Sequence, residues 1–289
     1  MIRFTNREVF MKTGLVLEGG AMRGIYTAGV LDVLMENNIY TDGVIGVSAG
    51  AIHGCSYVSH QPRRSIRYYM KYCKSWRFMS FRSLLLTGNI VNTRFCYEEI
   101  PERLDPFDYQ AFITSGIEFY VTCTNMKSGK AEYIRCTDLR RQIDCMRASA
   151  SMPYVSRPVY LNGTPYLDGG VADSIPLEAF QSLGFDRNLV VLTQVEGYQK
   201  HGSRIDKVNA YRKYPLFRKA LHDRPQQYNE TLAKIKQEEE AGNILVIRPS
   251  RDLHVQRMEK DREKIRMMYM LGRHDAKKAL PKIRRFFEM

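Results

Sequence analysis

Chemistry is first suggested by Gly46-Val47-Ser48-Ala49-Gly50. A serine acts as a nucleophile when its hydroxyl stands clear on a tight strand-to-helix turn, and Gly46 and Gly50 leave that space on either side. The apolar run 44–47 ahead of it reads as a strand, and the small residues after it as the opening of a helix. A second cluster, Gly19-Gly20-Ala21-Met22-Arg23-Gly24, follows the apolar run 14–17. It has Ile25 and Tyr26 where a phosphate-binding P-loop needs Lys and Ser or Thr, and it lacks the G-x-G-x-x-G of a dinucleotide site. N–H groups freed by glycines at a helix start can instead hold the oxyanion formed when a serine attacks an ester carbonyl. The third motif, Asp168-Gly169-Gly170, closes the strand-like run 164–167; alone it reads as a turn, and beside the other two the balance shifts away from that.

These residues need a frame. The run 14–17, the glycine loop, an amphipathic helix over 25–37 and the run 44–47 make a βαβ start. Further strands are predicted at 117–122, 132–135, 158–161 and 188–193, with a helix over 139–149 and another opening at Pro176. The alternation predicts an α/β fold of three layers, a largely parallel sheet flanked by helices. Loops that follow neighbouring parallel strands share one edge, which brings loop 19–24 toward Ser48. Beyond residue 200 the pattern is mainly helical, over 226–240 and 255–271, with one strand at 244–247. Two regions are therefore expected: a catalytic one over 10–200 and a basic helical one over 201–289.

Taken in order, the three motifs resemble those of the patatin-like phospholipases, a family of lipid acyl hydrolases, over about residues 14–193. The resemblance implies a Ser-Asp dyad with Ser48 as nucleophile and Asp168 as base, and an oxyanion hole around Gly20, Ala21 and Met22 within the 19–24 loop. It also implies a lipid or acyl-ester substrate and no metal or cofactor. The family often has a third consecutive glycine where this chain has Ala21, whose methyl is tolerable only at negative φ. Arg23 is read as bracing the loop rather than binding substrate. Residues 148–153, all small or ending in Pro153, read as close helix packing. The order Ser48, Asp168 and then His201, His222, His254 or His274 also fits a Ser-Asp-His triad of the α/β-hydrolase type, the second reading.

Composition sets the limits. With 289 residues, 44% hydrophobic and 26% charged, the chain is neither disordered nor fibrous. The uncharged stretch 43–62 is too broken by polar residues for a membrane span. Arg3, Arg7, Glu8 and Lys12 precede an apolar run too short for a signal peptide, so a cytoplasmic address is expected. The six cysteines have no zinc-finger spacing and read as reduced, mostly buried thiols.

Charge is uneven: residues 1–199 hold 21 Lys+Arg against 19 Asp+Glu, whereas 200–289 hold 23 against 12. Between Asp42 and Glu98 there are eight basic residues and no acidic one. At helical spacing Ile66, Tyr69, Met70 and Cys73 share a face, with Arg63, Arg67 and Lys71 off it. A peripheral contact with anionic membrane through Arg63, Arg64, Arg67 and Lys71 is thus expected. The C-terminal basic helices read as a solvated or interaction face. A catalytically silent binder of anionic lipid or nucleic acid is the reading from a different class, with nucleic acid disfavoured. Nothing in the sequence fixes an oligomeric state.

Overall fold

A computed structural model describes residues 11–202 and 210–288. The charged N-terminal residues Arg3, Arg7 and Glu8 lie outside the described residues. The chain opens with β1 (Lys12–Leu17), α1 (Ile25–Glu36), β2 (Gly43–Val47) and α2 (Ala49–Val58), the predicted βαβ start. Three short helices follow, α3 (Arg64–Tyr72), α4 (Phe81–Thr87) and α5 (Tyr109–Thr114), with a π-helical segment over Phe95–Leu104 between the last two. Next come β3 (Glu118–Asn125), β4 (Ala131–Cys136), α6 (Ile143–Ser149), β5 (Val159–Leu161), β6 (Thr164–Asp168), α7 (Leu177–Ser182) and β7 (Phe185–Val191). The chain closes with α8 (Pro215–Glu240), β8 (Ile244–Ile247) and α9 (Arg262–Phe287).

The strands form one sheet of order β5-β6-β3-β2-β1-β7-β8, with β4 also on β3. The run from β3 through β2, β1 and β7 to β8 is parallel, whereas β4, β5 and β6 pair antiparallel. Alternation along each central strand sorts two cores. Leu15, Leu17, Val44, Phe119, Val121, Leu189 and Val191 face one way, toward residues of α1, α2 and α9. Val16, Ile45, Tyr120 and Val190 face the other way, toward α7 and α8. The three-layer architecture follows from that partition.

The C-terminal helices depart from the sequence expectation. Helix α8 starts ten residues upstream of Pro225, and α9 runs on through Gly272 and Pro281. Both residue types signal a helix end on local grounds. Packing overrides the signal at Gly272: a Cβ there would meet the Tyr26 carbonyl oxygen, and one on Gly29 would meet that of Tyr269. The two glycines let α1 and α9 cross in backbone contact. Tyr269 Oη donates to Asp32 (2.6 Å), and Arg273 pairs with Glu36 (2.7 Å). One face of α9 is therefore packed rather than solvated.

Candidate active site

Ser48 follows β2 directly and starts α2 with φ 52° and ψ −118°, a conformation that costs a non-glycine residue energy and presents the side chain outward. The turn fits because its neighbours lack side chains. A Cβ on Gly46 would stand 2.5 Å from the Ala51 nitrogen, and one on Gly50 would stand 2.4 Å from the Leu17 carbonyl oxygen. The Ser48 N–H donates to Ser149 Oγ (2.8 Å), which itself donates to the Thr122 carbonyl (2.7 Å).

Strand register brings Asp168 to the same place. Val47, the last residue of β2, lies opposite Thr122 of β3, and Asp168, the last of β6, lies opposite Cys123. Because β4 occupies the other edge of β3 through Cys123 and Thr124, β2 and β6 share one edge and meet head to head. Asp168 is buried. Its Oδ1 accepts from the Gly170 N–H (2.8 Å), its N–H donates to the Ser151 carbonyl (2.8 Å), and its carbonyl accepts from Thr124 Oγ1 (2.8 Å). Gly169 presses on the Thr122 carbonyl with no room for a Cβ. Burial raises the Asp168 pKa above the usual carboxylate range; Arg224, the Gly170 N–H, the Ser48 hydroxyl and Arg257 oppose that rise, in that order.

The glycine loop leaves β1 and makes a short 3-10 turn, Ala21–Gly24. Gly19 N–H donates to the Ser174 carbonyl (3.4 Å), Met22 N–H to that of Arg257 (3.4 Å), and Arg23 N–H to that of Gly20 (3.1 Å). The N–H groups of Gly20 and Ala21 make no hydrogen bond to the described residues, which narrows the open donors to those two. Gly20 packs on the Thr193 side chain and Gly24 on Ala49. Glu18 anchors the loop's entry, accepting from Thr193 N–H (2.5 Å) and Tyr228 Oη (2.6 Å). The expectation of a negative φ at Ala21 is corrected: its φ is +48°, so the methyl sits in the left-handed region at a cost of about 1–2 kcal/mol. The anchored ends of the loop hold it there.

Ala21, Ser48 and Ala49 stand together on the wall of an apolar pocket of about 130 Å³. Its lining also includes Tyr68, Tyr69, Phe78, Met79, Met146 and Met152. Arg23 lines a separate small pocket with Thr193 and Asp252.

Two expectations bear on the surroundings of the pocket. The segment 63–95 supplies pocket wall; of its first cations Arg64 is buried, while Arg63 and Arg67 stay exposed with carboxylate partners. Arg64 is buried, donates to the Asp105 carbonyl (2.9 Å) and lies over the Tyr68 and Phe107 rings. Arg67 takes both Asp105 carboxylate oxygens (2.9 and 3.0 Å), and Arg63 pairs with Glu36. Only Lys71 of the four stays exposed without a carboxylate partner among the described residues. The triad alternative gains no support from the placement of its histidines. His201, His222, His254 and His274 are exposed, none lines the Ser48 pocket, and His222 and His254 pair with Asp223 and Asp252. The buried His53 bonds Ser65 (2.9 Å), and burial lowers its pKa to about 3.

Ser149 and Ser151, read as packing, fix the backbones of Ser48 and Asp168; Arg224 and Arg257, read as part of a solvated face, lie in the electrostatic surroundings of Asp168. A run of small residues carries no local signal of such long-range bonds.

A strained serine turn, a glycine loop and a buried aspartate thus meet at one end of the sheet. The patatin-like phospholipase family model matches residues 15–180, and the chain belongs to that family. A second family model, for a domain of unknown function, matches residues 214–288. The chain is 30% identical over 188 residues to the uncharacterized protein YjjU of Escherichia coli, covering 63% of this chain and 52% of that protein. It is also 30% identical over 189 residues to lysophospholipase nte1 of Aspergillus niger, covering 64% of this chain but 12% of that one. The chain thus spans about half the length of the first relative and a small part of the second. VipD from Legionella pneumophila aligns in structure over 94% of this chain and 67% of its own, at 14% identity and a TM-score of 0.45. Among the described residues no helix is long and apolar enough to cross a membrane.

Proposed function

We propose that the chain is a serine lipid acyl hydrolase that cleaves fatty acyl esters through an acyl-enzyme intermediate. The observation that carries this reading is the apolar pocket lined by Ser48, Ala21 and Ala49, whose other walls suit an acyl chain. Ser48 Oγ attacks the ester carbonyl carbon while Asp168 takes its proton. The carbonyl oxygen becomes an oxyanion held by the N–H groups of Gly20 and Ala21 and by the positive end of α2. Collapse of this intermediate breaks the ester bond, and the departing alcohol takes the proton from Asp168. A water, deprotonated by Asp168, then attacks the acyl-enzyme; the proton returns to Ser48 and the fatty acid leaves. Burial supports Asp168 in this role, because a raised pKa makes a carboxylate a stronger base at neutral pH. The lysophospholipase name of the fungal relative agrees with a lipid ester as substrate.

Labelling by a fluorophosphonate probe and turnover of a p-nitrophenyl acyl ester test the proposal. Ser48→Ala and Asp168→Asn should each abolish turnover while circular dichroism stays unchanged. Activity surviving either substitution removes that residue from the mechanism, and an unlabelled wild type favours a silent binder.

A further inference from the structure

Three of the most exposed apolar side chains sit together on α4: Phe81 (67% exposed), Leu85 (87%) and Leu86 (65%). Phe81 and Leu85 are one helical turn apart and lie on a common face. The helix is well made, with Ser80 Oγ accepting from the Ser83 N–H (2.9 Å), Ser83 buried beneath it and Gly88 ending it at φ 74°. Its apolar face is thus held out by a built element, where solvent alone gives no reason for it. Trp76, the chain's single tryptophan, is 39% exposed next to it, with the Arg82 guanidinium 4.5 Å from its ring. The stem of this knob is the bridge between Met79 and Val91, and Phe78, Met79 and Val91 all line the pocket of Ser48.

Charge indicates what covers the knob. Arg63, Arg64, Arg67, Arg77 and Arg94 each pair with one of three carboxylates, Glu36, Asp105 and Glu99, which offset part of their charge. Lys71, Lys74 and Arg82 are exposed and have no carboxylate partner among the described residues. Arg157 is likewise exposed without one, and its guanidinium packs against Gly88 at the far end of α4. An apolar knob flanked at both ends by uncompensated cations, with a tryptophan at its base, complements a bilayer whose headgroups are anionic. A symmetric contact with a second copy of the chain would set these cations against one another.

We propose that α4 and its flanks form the surface by which the protein seats on anionic lipid bilayers, placing the wall of the acyl pocket beside the membrane. The inference takes its lipid substrate from the hydrolase reading above. The single tryptophan allows a direct test with the intact chain. Vesicles of phosphatidylcholine containing phosphatidylglycerol should shift Trp76 emission to the blue and carry the protein down on sedimentation, pure phosphatidylcholine should do so less, and raised salt should weaken both signals. Changing Phe81→Ser, Leu85→Ser and Leu86→Ser together should weaken binding roughly a hundredfold or more, since each side chain withdrawn from water contributes on the order of tenfold. Soluble short-chain ester turnover should persist, because these side chains lie outside the pocket; that activity also shows the variant is folded. Co-sedimentation with Trp76 emission unchanged would overturn the proposal, as would wild-type binding by the triple variant. A dimer that the triple substitution dissociates, with vesicle binding intact, would overturn it in favour of a second copy. If wild type turns over no ester yet Trp76 still shifts, the hydrolase reading fails and the docking surface stands.

Discussion

Gly50→Ala probes the placement of the nucleophile without touching a reacting group. The added Cβ would lie 2.4 Å from the Leu17 carbonyl oxygen and 2.8 Å from that of Glu18, both backbone atoms. A carbon–oxygen contact settles near roughly 3.3 Å or more, so α2 and the end of β1 must part by about 1 Å. That end of β1 leads straight into Gly19 and Gly20, and α2 begins at Ser48, so the separation falls between the attacking oxygen and the proposed oxyanion donors. A misplacement of this size costs about a hundredfold in kcat. Overpacking should also lower stability by about 1–3 kcal/mol, a few degrees in Tm. Gly54→Ala is the control on the same helix, because its Cβ meets the ends of the Leu17 and Phe119 side chains, which can yield. Ester turnover measured well below each variant's Tm should fall in Gly50→Ala and largely survive in Gly54→Ala. Full turnover in Gly50→Ala would refute the link between this contact and the site.

Asp168→Asn should raise stability at neutral pH while abolishing turnover. A carboxyl whose folded pKa lies above its unfolded one costs no stability below the unfolded value; the penalty grows through the interval and is complete above the folded pKa. The gain in Tm should therefore shrink toward acid pH, and a loss of Tm at neutral pH would contradict the account. Arg224→Met removes a charge that lowers the Asp168 pKa, so the acid limb of the kcat/KM profile should move to higher pH; an unmoved limb would exclude the coupling. Alanine at His201, His222, His254 or His274, one at a time, should leave most turnover, whereas a loss of about a thousandfold from any one would restore the triad reading.

The parts of the candidate site that follow from local chemistry were legible in the sequence. Gly46 and Gly50 around Ser48, the glycine loop after β1 and the Asp-Gly-Gly turn after β6 each announce themselves within a few residues. The split into two faces follows from strand alternation. What escaped depends on distance. Arg64 looks like any surface cation until Asp105 and two aromatic rings close over it. Ser149 bonds across 101 positions to Ser48, and nothing nearby foretells it. Gly272 carries the local signature of a helix end, yet its bare backbone is what admits α1. The antiparallel entry of β6 is a matter of register, which alternation does not encode.

The common edge of β3 has a consequence for how this architecture can diversify. Ser48 and Asp168 are far apart in the chain, but each takes its position from adjacent residues, Thr122 and Cys123, of a single strand. That strand works as a gauge between them. Helices α3 and α5 and the segments on either side of α4, which supply much of the pocket wall, hang between β2 and β3 without setting the gauge. They can lengthen, shorten or change lining while the spacing of Ser48 and Asp168 stays constant. On the hydrolase reading proposed above, much of the pocket's lining is therefore mutable without moving Ser48 or Asp168.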